Sequence, residues 1–230
     1  MGYSVEKVAF HTLGCKLNFS ESSTLSRDFE KRGYSIVKNY EHANIHVINT
    51  CSVTEKADKK ARQIVNKIKN IISNPYIAVI GCYAQLKPME LKKISGINLI
   101  LDAANKFNLV DYVIKNYNQC NLKVMSSPID SHRTYFPSFS INDRTRSYLK
   151  VQDGCDYPCT YCTIPKARGK SRSDTIVNLT KNIEFLSNQN VSEVVLSGVN
   201  VGDYNNGGNN FFDLIRILDS LNKIKRFRIS

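Results

Sequence analysis

The sequence predicts an α/β fold made of two consecutive units that each contain parallel strands. In residues 7–117 short apolar runs alternate with helical segments, which is typical of parallel strands joined by helices. The same alternation starts again at residue 146, after a stretch rich in Pro, Ser and Asn. With 42% apolar residues among 230, the chain can fill a core in each unit.

Five strands and three helices are predicted in the first unit. The strands lie at 7–13, 34–39, 43–50, 76–81 and 97–103. The helices lie at 18–33, between the strands 43–50 and 76–81, and at 107–117. The helix between those two strands has the clearest stripe of apolar residues, with a Ser52–Glu55 capping box before it and Pro75 after it. Together these elements predict a three-layer α/β domain over residues 1–118.

The second unit is predicted to follow a linker at 119–142 and to occupy residues 143–230. Its elements are a strand at 146–152, a helix at 175–189, a strand at 193–198, an Asn/Gly-rich loop at 203–210, a helix at 211–224 and a strand at 226–230. Three parallel strands do not close a barrel, and an open apolar edge promotes aggregation. We therefore expect the chain to stop inside its second domain, as a truncated barrel.

The charge of the chain favours a polyanionic partner. Lys and Arg outnumber Asp and Glu by 32 to 20, which gives a formal charge of +12 at pH 7. Nucleic acid is the first candidate, and a solvated basic surface is the alternative. The sequence has neither a secretion signal nor a run of about 18 apolar residues, so it predicts a cytoplasmic protein without a membrane partner.

Cys15, Cys51 and Cys82 occupy equivalent places, each directly after a predicted strand and before a helix. Because the carboxyl ends of parallel strands meet at one edge of a sheet, these three thiols are expected to converge on one site. Helix amino termini there would lower the pKa of the thiols and favour thiolate ligands. The alternative is that each cysteine is an ordinary small apolar residue at the end of a strand.

Cys155, Cys159 and Cys162 are spaced C-x3-C-x2-C in one loop after the first strand of the second unit. A zinc site is poorly supported, because the chain has no second C-x2-C pair and the nearest histidine, His132, is distant. Three thiolates on a four-iron cluster would bind three irons and leave one open.

This cysteine pattern, with Tyr161 just before its last member, resembles the radical S-adenosylmethionine enzymes. The resemblance implies that the open iron binds S-adenosylmethionine, and that a reduced cluster cleaves it to a 5'-deoxyadenosyl radical. Tyr161 would lie against the adenine of that cofactor; the alternative is a tyrosine packed on its own loop. Gly198, Asn200 and Gly202 stand where the glycine-rich turn of those enzymes approaches the methionyl end, although such residues often mark a turn alone.

Four stretches, "TLGCKLN", "INTCSVT", "GCYAQ" and "GCDYPCTYCTIPKARGKSRS", together resemble the methylthiotransferases. By this resemblance Cys15, Cys51 and Cys82 would hold an auxiliary 4Fe-4S cluster that carries or activates sulfur. Cys155, Cys159 and Cys162 would hold the radical cluster. The expected reaction adds a methylthio group to C2 of N6-threonylcarbamoyladenosine in tRNA, with a second S-adenosylmethionine as the methyl donor.

The resemblance also implies partners and leaves alternatives. A flavodoxin or ferredoxin would donate electrons, and a separate donor, which the sequence does not identify, would supply sulfur. The branches that modify isopentenyladenosine in tRNA or a ribosomal protein are alternative assignments. A metal-containing module that binds nucleic acid without catalysis is another, if the partial barrel is inactive.

The basic run 166–173 follows the second cysteine loop and is a candidate RNA contact. Its basic residues are Lys166, Arg168, Lys170 and Arg172. The alternatives are a solvated loop or contacts to the cofactor. Tyr135 and Phe136 are expected to pack between the two units rather than stack on bases. Cys120, without a companion, is expected to be an unligated thiol.

Overall fold

The computed structural model describes residues 6–51, 54–119, 121–141 and 146–230. Its strands are β1 (Lys7–Thr12), β2 (Ser35–Ile36), β3 (Ile45–Thr50), β4 (Tyr76–Gly81), β5 (Leu99–Leu101), β6 (Lys123–Met125), β7 (Ser147–Lys150), β8 (Gln152–Asp153), β9 (Arg172–Ser173), β10 (Glu193–Ser197), β11 (Asn205–Asn206), β12 (Asn209–Asn210) and β13 (Arg226–Ile229). Its α-helices are α1 (Lys16–Lys31), α2 (Glu55–Ile71), α3 (Cys82–Leu86), α4 (Pro88–Lys92), α5 (Leu109–Asn116), α6 (Ile164–Arg168), α7 (Ile176–Asn188) and α8 (Phe211–Ser220).

The first unit is built on a six-stranded parallel sheet in the order β2-β1-β3-β4-β5-β6. Strands β3 and β4 lie at its centre, and every residue of both is buried. Near-continuous apolar runs such as "YIAVIG" are typical of parallel strands that are covered on both faces. The predicted α/β class is confirmed.

Helices cover both faces of this sheet and make three layers. Leu25 and Phe29 of α1 pack with α5 on one face, in the core that contains Val47 of β3. Val65 of α2 packs with α3 and α4 on the other face, in the core that contains Ile48. Successive residues of a strand point to opposite faces, so Val47 and Ile48 fill different cores. Burying one such side chain stabilises the fold by about 1.5–3 kcal/mol.

Several elements differ from the sequence prediction. Strand β6 pairs in parallel with β5 inside the stretch 119–142, which the sequence presented as irregular linker. The short helices α3, α4 and α6 were not predicted, since five residues are too few for a helical period to show. Thr54 caps α2, with its hydroxyl accepting from the Ala57 N–H. Ser52, expected to start a capping box there, and Cys120 lie outside the described residues.

The second unit has a three-stranded parallel sheet in which β7, β10 and β13 stand side by side in chain order. Helix α7 connects the first two strands and α8 connects the next two, as in the opening strands of a (β/α) barrel. Helix α8 starts with a capping box between Asn210 and Asp213. These positions agree with the predicted strands and helices.

Segment 132–141 packs against both units. Phe139 bridges to Leu149 of β7 in antiparallel fashion, and the Lys150 N–H donates to the Ser138 carbonyl at 2.9 Å. Phe136 stacks on Phe107 of the first unit at 4.4 Å, which confirms the predicted packing role. The domain boundaries near 118 and 143 stay a prediction. In the described part of the chain, no helix has the length and apolarity to cross a membrane.

Candidate functional site

The three cysteines of the first unit line one cavity of about 190 Å³. Cys15 follows β1 at the start of α1, Cys51 follows β3, and Cys82 opens α3 directly after β4. The three strand ends therefore converge at the carboxyl edge of the sheet, as expected. Leu17 and Asn18 of the first unit also line the cavity. The second unit supplies the rest of its wall, through Thr163, Ile164, Ala167, Arg168, Gly198 and Val199.

Two glycines let these strand ends approach each other. Gly14 has φ of +98°, and a methyl group on its Cα would lie 2.6 Å from Cβ of Cys51. Gly81 has φ of +96°, and a methyl group there would lie 2.6 Å from the Thr50 carbonyl oxygen. Only glycine adopts such angles at little cost, and no larger residue fits these contacts. The glycine before Cys15 and the one before Cys82 are therefore part of the site's construction.

Hydrogen bonds of the Asn18 and Thr50 side chains connect the three turns that carry the cysteines. The Asn18 amide donates to the carbonyls of Leu13 at 2.7 Å and Thr50 at 2.9 Å, joining the ends of β1 and β3. The Thr50 hydroxyl donates to the Ile80 carbonyl at 2.6 Å and accepts from the Tyr83 N–H, which joins the end of β4 and the start of α3. Neither residue was predicted to be part of the site, although Asn18 lies in the stretch "TLGCKLN" and Thr50 in "INTCSVT".

The thiols differ in exposure and environment. Cys15 is exposed, Cys51 is partly exposed and Cys82 is buried. Burial raises the pKa of the Cys82 thiol, although the nearby charges of Arg168 and Lys106 oppose this. The expectation that a helix amino terminus would lower this pKa is wrong for Cys82, because desolvation outweighs the favourable charges.

The donor set fits a group larger than a single ion. No three His, Cys, Asp or Glu side chains among the described residues lie close enough to hold one metal ion. The sulfur ligands of one zinc ion each lie about 2.3 Å from the metal, so they are within about 4.6 Å of each other. Three thiols around a cavity of about 190 Å³ suit a polynuclear iron-sulfur cluster instead.

The second cysteine set lies on the loop between β8 and α6. Cys159 is exposed, whereas Cys155 and Cys162 are partly exposed. The Cys155 N–H donates to the Gly169 carbonyl at 3.0 Å, and the Cys162 N–H donates to the Cys159 carbonyl at 3.1 Å. Tyr161 is 88% exposed, so its ring is free to meet a ligand. The thiols stand at the carboxyl end of the second sheet, as predicted from the chain order.

Gln152 ties this loop to the glycine turn after β10. Its buried amide donates to the Gly154 carbonyl at 2.7 Å and to the Ser171 hydroxyl at 2.9 Å. Its carbonyl oxygen accepts from the N–H groups of Val199 at 2.9 Å and Asn200 at 3.0 Å. The turn containing Gly198 is thereby fixed beside the cysteine loop. Gln152 could not be identified from the sequence, because a single Gln in a strand gives no local signal.

A buried cluster of charged residues joins the two units behind the cavity. Glu21 of α1 lies 2.7 Å from Lys106, 3.3 Å from Lys150 and 3.2 Å from Arg168. Asp153 lies 2.9 Å from Arg168, and Lys150 and Arg172 are each 3.4 Å from it. Burial alone would raise the pKa of Glu21, but Lys106, Arg168 and Lys150 outweigh it and hold that pKa at about 2. Arg168, Lys150 and Arg172 likewise hold the pKa of Asp153 well below its usual range despite its burial, so both carboxylates are ionised at neutral pH.

The basic run 166–173 divides into exposed and buried residues. Lys166 and Lys170 are exposed. Arg168 is only 5% exposed and its guanidinium is held by Glu21 and Asp153. The predicted phosphate contact is therefore corrected for Arg168. It is also corrected for Arg172, whose largely buried side chain bonds the carbonyls of Arg168 and Lys170.

Comparison with known proteins shows which proteins this chain is similar to. Residues 7–102 match the model described as "Uncharacterized protein family UPF0004". The threonylcarbamoyladenosine tRNA methylthiotransferase MtaB of Bacillus subtilis (strain 168) is 36% identical over 97% of this chain and 51% of its own length. MtaB of Aquifex aeolicus (strain VF5) is 33% identical over 97% of this chain and 55% of its own length.

A second group of relatives is named for a different modified adenosine. The tRNA-2-methylthio-N(6)-dimethylallyladenosine synthase of Sulfurihydrogenibium sp. (strain YO3AOP1) is 28% identical over 97% of this chain and 53% of its own length. The chain thus spans about half the length of the curated relatives it matches.

A solved structure shares the fold. The radical S-adenosylmethionine methyltransferase TsrM of Kitasatospora setae, solved with cobalamin and a 4Fe-4S cluster, superposes with a TM-score of 0.55 at 11% identity. The match covers 86% of this chain and 50% of that one. The chain is thus similar over 97% of its length to methylthiotransferases, and the relatives named for threonylcarbamoyladenosine are more similar to it than the one named for dimethylallyladenosine.

Proposed function

We propose that this chain is the part of a tRNA methylthiotransferase that carries both iron-sulfur sites and acts, in the cytoplasm, on N6-threonylcarbamoyladenosine beside the anticodon. The observation that carries the proposal is the shared cavity. Cys15, Cys51 and Cys82 line it together with Gly198 and with residues that directly follow the C-x3-C-x2-C loop. A radical formed at one site and sulfur held at the other would therefore be within reach of a single substrate.

The residues divide between the two sites. Cys15, Cys51 and Cys82 would hold an auxiliary 4Fe-4S cluster, and Cys155, Cys159 and Cys162 would hold the radical cluster. Together with S-adenosylmethionine, these groups supply one-electron chemistry that removes hydrogen from an unactivated carbon and delivers sulfur. Tyr161 would lie against the adenine of the cofactor, and the turn at Gly198 and Asn200 would receive its methionyl end.

The protein's own side chains position these groups. Gln152 holds the turn that contains Val199 against the start of the cysteine loop, so both walls of the cofactor site are fixed together. Asn18 and Thr50 hold the three turns of the auxiliary site. Exposed Lys166 and Lys170 lie beside the cysteine loop, where they would meet RNA phosphates.

Anaerobic reconstitution of the 230-residue chain tests the proposal. Two clusters require about eight irons and eight sulfides per chain. We expect the reduced protein to convert S-adenosylmethionine to 5'-deoxyadenosine, with a flavodoxin or ferredoxin as electron donor. Zinc without sulfide, or RNA binding without cleavage of S-adenosylmethionine, would instead identify a metal-containing binding module.

Cysteine variants separate the two sites. Replacing Cys155, Cys159 and Cys162 with Ala should abolish 5'-deoxyadenosine, because the radical site loses all its ligands. Replacing Cys15, Cys51 and Cys82 should spare 5'-deoxyadenosine but stop methylthiolation of an anticodon stem-loop. Cys120→Ala is the control for removal of a cysteine outside both sets. Methylthiolation by the second triple variant would contradict the assignment of the auxiliary site.

The dimethylallyladenosine branch is the second candidate, because its members are also similar over 97% of the chain. Stem-loops carrying each modified adenosine, offered to the same reconstituted protein, distinguish the two. We expect product from the threonylcarbamoyl RNA, and product from the dimethylallyl RNA alone would move the chain to the other branch.

A further inference from the structure

The buried charged cluster behind the three-cysteine cavity carries an excess of positive charge. Its cations are Lys106, Lys150, Arg168 and Arg172, and Glu21 and Asp153 are the carboxylates within 4 Å of them in the described part of the chain. Four cations against two carboxylates leave a formal excess of two positive charges. Unbalanced buried charge is strongly destabilising, so an anion beside this cluster would be favoured.

The three-cysteine cavity is the place where an anion would lie next to the charged cluster. Arg168 is the member of the cluster that also lines the three-cysteine cavity. One amino group of its guanidinium, Nη2, donates to Oδ1 of Asn18 at 2.6 Å. The same Asn18 oxygen lies 3.8 Å from Sγ of Cys15. A single polar atom thus separates the buried positive charge from the first thiol of the set.

The position of Arg168 is set by both units. Glu21 and Asn18, from α1, hold its guanidinium together with Asp153, from the strand that leads into the second cysteine loop. Arg168 itself ends α6, six residues after Cys162. The backbone of Arg168 therefore belongs to the segment that follows the second cysteine loop, whereas its charged side chain lies beside the first cysteine site.

We propose that Arg168 is a positioning and charge-tuning residue of the three-cysteine site, placing positive charge beside the cavity so that it favours an anionic occupant. This inference rests on the proposed function, since the anion it addresses is the cluster of three thiolates. Three thiolates on a 4Fe-4S core of charge 2+ carry one negative charge, and reduction adds a second. Positive charge from Arg168 raises the midpoint potential of that cluster, because net charge and local polarity set the potential of an iron-sulfur centre.

The test uses the 230-residue chain with Cys155, Cys159 and Cys162 replaced by Ala, so that only the first site binds a cluster. Redox titration followed by electron paramagnetic resonance gives the midpoint potential. We expect R168M to shift the potential downward and R168K to retain most of the original value. E21Q removes a negative charge from the buried charged cluster and should shift the midpoint potential upward. K181M removes an exposed charge on α7 and should leave it unchanged.

The outcomes distinguish charge from structural damage. Opposite shifts in R168M and E21Q support the proposal, whereas shifts in the same direction, or an unchanged potential in R168M with its cluster bound, overturn it. If R168M binds no cluster, an upward shift in E21Q with little change in R168K supports the proposal, and a downward shift or no shift in E21Q overturns it. Failure of the unsubstituted first site to bind iron and sulfide would instead refute the proposed function.

Discussion

At the scale of single residues, the three-cysteine site depends on side chains that hold the backbone rather than on the thiols alone. Asn18 and Thr50 satisfy carbonyls at the ends of three strands, and Gly14 allows the turn before Cys15 to approach Cys51. Leaving one buried carbonyl without a donor costs about 1–3 kcal/mol. The thiols are therefore brought together by the folded chain before any cluster binds.

Replacing Gly14 with Ala should disrupt this site. The new methyl group would lie 2.6 Å from Cβ of Cys51 at a φ of +98°, so the turn must shift. Gly33→Ala is the matched control, because Gly33 has φ of +86° with open space around it. We expect both variants to lose about 1–3 kcal/mol of unfolding free energy from the strained backbone. Only Gly14→Ala should also lose iron and sulfide at the first site; equal retention in both would contradict this reading.

The residue scale also shows what the sequence could not predict. The cysteines were identifiable because their spacing and their places after strands are visible in the chain. The burial of Arg168 was not, because Lys166 and Arg168 look alike in a basic run. Side chains two positions apart on an α-helix are separated by about 200° around its axis, so they point to nearly opposite sides. Which side of α6 is buried depends on α1, more than a hundred residues earlier.

At the scale of elements, the pairing of β1 with β3 brings together two histidines, of which His46 is buried and His11 is partly buried. His11 and His46 lie 3.3 Å apart, and burial lowers the pKa of each from 6.5 to about 4. His132, on the segment between the sheets, is lowered to about 4 for the same reason. These histidines are neutral in the folded protein at pH 5–6.5, whereas the unfolded chain binds protons there.

Acidification should therefore destabilise the protein without a cluster before its carboxylates titrate. Since the folded pKa values are below the unfolded value of 6.5, the unfolded state binds more protons as the pH falls from 6.5 toward 4. We expect the urea concentration at the midpoint of unfolding to fall as the pH is lowered from 6.5 toward 4. H46Q should flatten the dependence, and H42Q, which changes an exposed histidine, should not. An unchanged profile in H46Q would show that other groups cause it.

The elements also differ in how visible they were in the sequence. Strands β3 and β4 could be predicted because both are buried on two faces and apolar throughout. Strand β6, "KVM", has only three residues at the edge of the sheet and half-exposed side chains, so no apolar run marks it. Its pairing with β5 comes from the sheet edge, which is not a local property of the sequence.

At the scale of the whole molecule, the net charge of +12 is distributed unevenly. Lys106, Lys150 and Arg168 are buried in the charged cluster and Arg172 is partly buried, so RNA contact depends on exposed residues such as Lys166 and Lys170. Each phosphate contact contributes about 0.7 to the slope of log affinity against log salt for single-stranded RNA and about 0.9 for a duplex.

Replacing both lysines should weaken RNA binding measurably. We expect K166A/K170A to reduce the salt slope for an anticodon stem-loop by about 1.4–1.8, because two phosphate contacts are lost. K115A changes an exposed lysine in the last turn of α5, away from the cysteine cavity, and is the control. Fluorescence anisotropy between low and physiological salt gives the slopes. A slope that falls equally in both variants would indicate a diffuse basic surface instead.

The side-chain amide of Gln152 limits which residues can replace it. One of its ends donates to the backbone before Cys155 while the other accepts from Val199 and Asn200, so its two ends are not interchangeable. Glutamate would bring a carboxylate oxygen against carbonyls that need a donor, and asparagine is one methylene too short. The cysteine loop and the glycine turn are thus joined by one glutamine that neither glutamate nor asparagine can replace.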